Sequence, residues 1–290
     1  MGKRQTMEDV HVIRLESDGS DAAGGTRVAF VGIWDGHGGV ECARYASEHL
    51  HANVLRAGLV AAAQGSSGSD KVDVKKAKQA IIEGFRLTDE ALLAECASRG
   101  WADGTCAVCA WVVGELALVA NVGDAKAVLA RVSDKAGSEG QVKGLVLTRE
   151  HLALHAVERA RIQRAGGFVS ADGRLNGRMQ VSRSFGDAQL KSAGASSVPD
   201  VAAFQLTPRD RFLVLGCDGF WGVWDAQGCV DAVGGMLDGP APSERRDEKG
   251  VTNRLVYQSV RERGCRDNVS VLLLRFCPTG GGAEEPKGTR

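Results

Sequence analysis

Apolar runs that are rich in β-branched residues and end at turn signals predict the strands of this chain. Residues 106–113 and 116–122 flank Gly114 and Glu115 and therefore predict a hairpin. Residues 125–132 follow the second run closely, and we expect them to extend the hairpin as a third strand. Three further strands are predicted at residues 28–34, 212–217 and 268–276.

Apolar residues at helical intervals predict the helices between these strands. Ile81, Phe85 and Leu92 fall on one face of residues 73–97. Other helices are predicted at residues 40–63, 156–165, 225–236 and 251–263. Hairpins, paired helices and then strands again indicate an α+β fold, with packed antiparallel sheets and outer helices, rather than a regular strand–helix alternation.

No long linker or internal repeat divides the 290 residues, so we predict one domain over residues 1–277. The apolar share of 43% is enough to bury a sizeable core. Residues 278–290 are rich in glycine and charge, which predicts a disordered tail. The eight cysteines are scattered and mostly lie in apolar runs, so we expect buried free thiols.

The charges balance at 36 basic and 36 acidic residues, which argues against a nucleic-acid binder and against a polybasic membrane-surface protein. The longest apolar stretch, residues 107–120, is shorter than the ~18–20 residues that cross a bilayer. The start of the chain lacks the apolar segment of a signal peptide. We therefore expect an intracellular protein, cytoplasmic or nuclear, and we expect it to be a monomer.

Three aspartates stand at the ends of apolar, strand-like runs. Asp35 and Asp218 follow such runs directly, and Asp267 precedes one. A carboxylate beside a buried strand is costly unless it is paired or bound to a metal. Oxygen ligands without a His/Cys cluster favour Mg²⁺ or Mn²⁺ over Zn²⁺, and Gly36 could add its carbonyl because glycine allows close approach. Two such ions about 3.5–4 Å apart could share a carboxylate and activate a water.

Two further side chains suit a phosphate site. The guanidinium of Arg4, four residues before Glu8, could hold a phosphate oxyanion through paired hydrogen bonds. His37, directly after Asp35 and Gly36, could donate a proton to a leaving oxygen. Each has an ordinary alternative role: Arg4 could be a surface arginine near the chain terminus, and His37 could be a histidine in a turn without a function.

Spacing alone leaves several ordinary roles open for these acids and for the remaining histidines. Any single Asp-Gly pair is a common hairpin turn signal. Calcium is the next candidate ion, although the chain has no EF-hand loop pattern. His151 and His155 have a spacing that suits zinc on a helix, but a third ligand is missing, and we interpret them as a solvated helix start.

Eight segments, taken in chain order, resemble the motifs of the protein phosphatase 2C family and span nearly the whole chain. One such motif would be a weak signal, whereas eight in the family's order are specific. They are RQTMED at 4–9, VGIWDGHGG at 31–39, DGTCA at 103–107, NVGDAK at 121–126, RIQRAGG at 161–167, VSRSFGD at 181–187, CDGFW at 217–221 and RDNVSV at 266–271.

This resemblance implies a four-layer α/β/β/α sandwich, two antiparallel β-sheets flanked by helices. It also implies a protein serine/threonine phosphatase, which hydrolyses phosphoserine and phosphothreonine in phosphoprotein substrates with two Mn²⁺ or Mg²⁺ ions and water as the nucleophile. Arg4 would hold the phosphate, and His37 would be the general acid. The implied metal ligands are Asp35 as the bridge, the Gly36 carbonyl, Asp218, Asp267, Glu8 and Asp9 through waters, and Asp103 for a weaker third ion.

The chain also departs from the family pattern. Gly222 stands where many members carry an aspartate, which weakens the third ion site and leaves the bridging pair intact. Cys106 replaces a usual threonine or serine, and we expect the family's first edge strand to lie upstream of Arg4. Residues 197–200, 205–208 and 210–212 resemble the integrin-linked kinase-associated phosphatase type. A non-catalytic binding module on the same fold and a calcium-dependent β-sandwich are the alternatives.

Overall fold

Two antiparallel β-sheets form the middle of the fold in a computed structural model of the chain. The structure describes residues 2–17, 27–64, 72–238 and 247–276, and the predicted tail at 278–290 lies outside them. The strands within those ranges are β1 (Val10–Ser17), β2 (Arg27–His37), β3 (Gly104–Val113), β4 (Leu116–Val122), β5 (Lys126–Val132), β6 (Val142–Val146), β7 (Phe185–Gly186), β8 (Asp200–Gln205), β9 (Asp210–Gly216) and β10 (Val271–Arg275).

The larger sheet has the strand order β1-β2-β3-β4-β8, and the short strand β7 pairs with the start of β3. The smaller sheet has the order β10-β9-β5-β6. The helices are α1 (Glu41–Arg56), α2 (Leu59–Gln64), α3 (Val74–Arg99), α4 (Ala156–Arg164), α5 (Ala188–Lys191), α6 (Asp218–Trp221), α7 (Ala226–Asp238) and α8 (Glu248–Tyr257), which continues into a π-helical turn at Gln258–Glu262.

Alternate side chains of β2 enter two different hydrophobic layers, because successive residues of a strand point to opposite faces. Phe30 and Trp34 pack in the cluster formed with α1 and α3. Val31 and Ile33 pack in the cluster that includes β9 of the other sheet and the helices α7 and α8. Helices therefore cover the outer face of each sheet, and the predicted α+β four-layer sandwich is confirmed.

The hairpin β3–β4 was predicted correctly, but the prediction for the next strand was wrong. Strand β5 does not extend that hairpin, because it pairs with β9 and β6 in the smaller sheet. Gly123 has a φ of 90°, a value that favours glycine, at the point where the chain leaves β4. Local apolar pattern predicts that a strand exists, but it does not say which distant strand is its partner.

Strand β2 also runs further than its apolar residues indicate. Asp35 lies opposite Cys106, and Gly36 lies opposite Thr105, so both residues belong to the paired strand rather than to a turn after it. The predicted helix at 40–63 is two helices, which are separated at Gly58 with a φ of 99°. Across the described ranges, no helix is both long enough and apolar enough to cross a membrane.

Candidate active site

A cleft of about 380 Å³ opens where the ends of several strands meet. Its walls come from the N-terminal segment, β2, the β4–β5 connection, residues 174–181, the start of α6 and the segment before β10. The charged side chains that line it are Arg4, Glu8, Asp35, His37, Asp124, Arg174, Arg178, Asp218 and Asp267. The fold thus places seven of the nine predicted site residues in the cleft lining. Asp9 lies just behind this lining, and Asp103 lies beside Gly38 and Gly39 without lining the cleft itself.

Asp35 and Asp218 are close neighbours at the floor of the cleft. The backbone N–H of Asp218 points at Asp35 Oδ2, at an N···O distance of 3.4 Å. Burial, and then the charges of Asp218 and Asp9, raise the pKa of Asp35 well above its usual range. Loss of hydration and the Asp267 charge raise the pKa of Asp218. The raised pKa values show that the ionised carboxylates of Asp35 and Asp218 repel nearby negative charges and lack, among the described residues, a neighbouring cation that would neutralise them.

Asp9 is 8% exposed and lies behind these two residues. Its Oδ2 accepts a hydrogen bond of 2.7 Å from Ser270 Oγ, whereas its Oδ1 is buried and has no hydrogen-bond partner among the described residues. Asp9, Asp35 and Cys217 each offer an atom within 4.8 Å of the others. Burial raises the pKa of the Cys217 thiol far above its usual range, so the donors here are carboxylate oxygens. An unsatisfied buried oxygen among carboxylates fits a hard divalent cation.

The N-terminal segment closes one side of the cleft. Arg4 donates from Nε and Nη2 to the two oxygens of Asp267, at 2.8 Å each. Burial alone would raise the pKa of Asp267, but the hydrogen bond and charge of Arg4, together with the backbone N–H of Asn268, outweigh it and the pKa falls. Asn268 holds the segment in place, because its Oδ1 accepts from Glu8 N at 2.9 Å and its Nδ2 donates to Thr6 O at 2.9 Å.

His37 lies at the end of β2 and meets a carboxylate that the motifs did not single out. Its Nε2 lies 2.9 Å from Oδ2 of Asp187. Burial lowers the pKa of His37, but the hydrogen bond and charge of Asp187, together with the charges of Asp124 and Asp103, outweigh it, and the net shift is upward. Asp103 does not line the cleft, because its Oδ2 accepts from Cys42 N at 2.8 Å at the start of α1. The role of Asp103 at a third ion therefore stays a prediction.

The sequence model of the family described as "Protein phosphatase 2C" matches residues 1–269. The chain belongs to the protein phosphatase 2C family. The predicted resemblance and the predicted enzyme class, a protein serine/threonine phosphatase, are confirmed.

Several members of the family are similar over nearly the whole chain. "Probable protein phosphatase 2C 8" of Arabidopsis thaliana is 46% identical over 281 residues, which cover 95% of this chain and 76% of that protein. The human "Integrin-linked kinase-associated serine/threonine phosphatase 2C" is 35% identical and covers 95% of this chain and 70% of that protein. A solved "serine-threonine phosphatase 2C from Toxoplasma gondii" has a TM-score of 0.78 at 20% identity, with 95% and 92% of the two chains covered. That likeness shows the fold.

Sequence reasoning missed Asp124 as a site residue, although its motif was recognised. Asp124 follows β4 and lines the cleft beside Cys106 and Asp218. Burial, and then the Asp218 charge, raise its pKa to about 6. An aspartate directly after an apolar strand was the signal that identified Asp218, and it applies equally here. We call Asp9, Asp35, Asp124 and Asp218 the acid cluster.

A second group of charged residues lies beside the cleft in the segment that contains α4. Glu158 Oε2 accepts from Ser182 Oγ at 2.6 Å and from Arg161 Nη2 at 2.8 Å, and Glu158 Oε1 accepts from Arg183 Nη2 at 2.5 Å. Burial would raise the pKa of Glu158, but the hydrogen bonds of Arg183, Ser182 and Arg161 hold it well below its usual range. We call Glu158, Arg161, Ser182 and Arg183 the Glu158 cluster.

His151 also belongs to this buried region, so the interpretation of a solvated helix start was wrong for it. His151 is 1% exposed, and its Nδ1 accepts from the Gly123 N–H at 3.2 Å. Its own backbone N–H donates to the Gly123 oxygen at 2.9 Å. These two bonds tie the turn that carries Asp124 to the α4 segment.

Proposed function

We propose that the chain hydrolyses phosphoserine and phosphothreonine in proteins and that two Mn²⁺ or Mg²⁺ ions in the cleft are needed for this reaction. The observation that carries the proposal is the acid cluster itself. Three of its carboxylates are close neighbours with raised pKa values, and Asp9 keeps one buried oxygen without a partner among the described residues. Oxygen donors of this kind fit a hard divalent cation supplied from solution.

The residues that would hold the two ions come from four parts of the chain. Asp35 would bridge them and the Gly36 carbonyl would add a ligand, while Asp218 and Asp267 would complete one ion. A Cβ at position 36 would lie 2.5 Å from the Glu8 carbonyl oxygen, so glycine is needed where the two segments meet. Glu8 and Asp9 would act through waters, and Asp103 would serve a weaker third ion. When bound, such ions supply Lewis acidity and lower the pKa of a bound water.

Two side chains would act on the phosphoryl group directly. Arg4 is 63% exposed at the rim, and its planar guanidinium can hold a phosphate by two parallel hydrogen bonds. His37 lines the same cleft and would donate the proton that the leaving serine or threonine oxygen requires. We propose a phosphoprotein substrate and a monomeric enzyme, and the cytoplasmic or nuclear location stays a prediction.

A metal-dependence assay on phosphopeptides tests this function. Chelator-treated protein should be inactive on phosphoserine and phosphothreonine peptides and should recover with Mn²⁺ or Mg²⁺. Asp35→Ala and Asp218→Ala should stay inactive with metal. Asp134→Ala is the matched control, because Asp134 is an exposed aspartate outside the cleft. Undiminished turnover in Asp218→Ala, or turnover without any metal, would contradict the proposal, and Mn²⁺ binding without turnover would favour the scaffold alternative.

A further inference from the structure

We propose that Asp187 is a positioning residue, which fixes the ring of His37 and decides which ring nitrogen serves the leaving oxygen. The inference rests on the proposed function for the acid role of His37. Asp187 Oδ2 lies 2.9 Å from His37 Nε2, and the Asp187 side chain is only 6% exposed. A carboxylate accepts hydrogen bonds, so Nε2 carries the hydrogen and Nδ1 is the ring nitrogen left for the cleft.

The backbone at Asp187 is held in a conformation that few residues adopt. Asp187 has a φ of 49° and Gly186 before it has a φ of 70°. A Cβ at position 186 would lie 2.6 Å from Cys42 Sγ and 2.8 Å from the Asp103 oxygen, so only glycine fits there. A Cβ on Gly104 would collide with the Asp187 carboxylate itself. A backbone conformation of this kind costs free energy, so it persists only where the surrounding contacts hold it in place. Such conformations are concentrated at functional sites.

The surrounding contacts fix the carboxylate from several sides. Ser184 Oγ donates to the same Oδ2 at 2.6 Å, and the Asp187 N–H donates to the Asp103 oxygen at 3.0 Å. Asp89 of α3 anchors the segment, because it accepts from Gly186 N at 2.9 Å and from Lys191 Nζ at 2.7 Å. The Asp187 carboxylate therefore meets His37 as a rigid group rather than as a mobile surface acid.

This arrangement assigns a direction to the proton transfer. When the P–O bond to serine or threonine breaks, its electron pair goes to the leaving oxygen, which takes the hydrogen from Nδ1 of the charged His37 ring. The ring is then neutral, with its remaining hydrogen on Nε2 and bonded to Asp187. A hydrogen-bonded carboxylate fixes both the tautomer and the orientation of a catalytic histidine in this manner. Without it the neutral ring could carry its hydrogen on either nitrogen.

Two variants change the contact while they keep the backbone. Asp187→Asn keeps the shape and tolerates the left-handed conformation, but it replaces one carboxylate oxygen by an NH2 donor. Asp187→Gly removes the acceptor at a φ that glycine adopts freely. Asp89→Asn is the matched control, because it loosens the same segment without touching His37. The first readout is heteronuclear NMR of the imidazole nitrogens, with the His37 signals assigned through His37→Gln. At a pH above the pKa of His37, where the ring is neutral, we expect its hydrogen on Nε2 in the wild type and in Asp89→Asn, and a mixture of the two tautomers in Asp187→Gly.

The second readout compares two leaving groups. Since p-nitrophenolate leaves without a proton, Asp187→Gly should lower kcat about 10- to 100-fold on a phosphoserine peptide and by less than about threefold on p-nitrophenyl phosphate. Asp89→Asn should affect both substrates alike. In the background of His37→Gln, adding Asp187→Gly should change the peptide rate by less than about twofold, because both residues act through one proton.

The outcomes separate this inference from the proposed function. An unchanged His37 tautomer in Asp187→Gly, or an equal loss on both substrates that persists without His37, would overturn the positioning role. If His37→Gln lowers both substrates equally, the acid role under the proposed function fails. The NMR result still decides in that case whether Asp187 sets the ring.

Discussion

The acid cluster and the Glu158 cluster contain the same functional group in opposite surroundings. In the acid cluster, burial and neighbouring carboxylates raise the pKa values, and Asp9 Oδ1 has no partner among the described residues. In the Glu158 cluster, two guanidinium groups and a hydroxyl lower the pKa of a carboxyl whose side chain is 5% exposed. The two clusters are tied together through the His151–Gly123 contact.

The difference shows how the fold separates structural from functional charge. Glu158 is paired with arginine side chains of the same chain, so its charge is neutralised as soon as the chain folds. Its role is to hold the α4 segment in place. Buried carboxylates without internal cations oppose folding unless an ion from solution joins them. Raised pKa values in a cleft therefore mark a binding site, whereas a lowered pKa in a closed ion-pair network marks a structural contact.

Loss of the Glu158 charge should have the largest effect on stability. Glu158→Gln takes the carboxylate away from partly buried Arg161 and leaves Arg183 with its ion pair to Asp200, which should cost about 3–5 kcal/mol in the free energy of unfolding. Because the folded pKa lies below the ordinary value of 4.5, this stabilisation is present above pH 4.5 and is lost as the pH falls. Urea denaturation at pH 7 measures the first effect, and a series that starts at pH 4.5 and goes well below it measures the second. Asp172→Asn, an exposed acid of the same segment, is the control, and a Glu158→Gln protein as stable as that control would contradict the comparison.

Substitutions in the acid cluster should lower the activity of the enzyme rather than its stability. Asp35→Asn should lower metal-dependent turnover of a phosphopeptide by more than about 100-fold, since outer contacts of a metal site alone change activity 10- to 100-fold. The metal-free variant should be at least as stable as the wild type, because one of the repelling charges is gone. Steady-state kinetics and thermal unfolding in chelator test the two halves. A metal-free variant that is markedly less stable would show that Asp35 is a structural acid.

Asp124 provides the pH test of the acid cluster. Its folded pKa of about 6 lies above the ordinary 3.8, so the folded state binds more protons between those values and stability falls as the pH rises. Metal-free Asp124→Asn should therefore be about 3 kcal/mol more stable than the wild type at pH 7.5. The difference should vanish below pH 3.8. Chemical denaturation across this range measures it, and a difference that grows on acidification would refute the assignment.

The Arg4–Asp267 pair should show the smallest effect on stability. Its geometry is as good as that of the Glu158 cluster, but the two side chains are 63% and 34% exposed. Arg4→Ala should change the free energy of unfolding by less than about 1 kcal/mol, because water screens the pair. The same variant should lower kcat/KM for a phosphopeptide, and Arg4→Lys, which keeps the charge without the planar fork, should restore it only in part. Full activity in Arg4→Ala would remove Arg4 from the phosphate site.

The central strands of the two sheets were the most predictable part of the fold. The hairpin β3–β4 has a strong apolar pattern and a Gly-Glu turn, and β9 ends at Gly216, one residue before the predicted end at Cys217. The edge strands β1 and β8 were missed because none of their described residues is fully buried, so the alternation of buried and exposed positions that marks a strand is weak there. The predicted partner of β5 was wrong, because sheet pairing depends on contacts between residues far apart in sequence and a local pattern contains no information about them.

Site residues could be predicted from the sequence where an aspartate stands directly beside an apolar strand. Asp35, Asp218 and Asp267 follow that pattern, and the fold brings them to one cleft. Asp187 could not be predicted as the partner of His37, because 150 residues separate the two and only the β3–β7 pairing brings them together. The role of Asp103 at a third ion, which the motif implies, stays a prediction; its carboxylate accepts from the first turn of α1, where N–H groups need an acceptor.

Calorimetric titration of Mn²⁺ into chelator-treated protein tests most directly whether the acid cluster is a two-ion site. The wild type should bind two ions per chain, and saturation to about 100 times Kd should raise its free energy of unfolding by about 2.7 kcal/mol per site. Asp35→Asn should lose this binding, and Glu158→Gln, measured where it is still folded, should keep it. A wild-type protein that binds no Mn²⁺, or an Asp35→Asn protein that binds it as tightly as the wild type, would contradict the account.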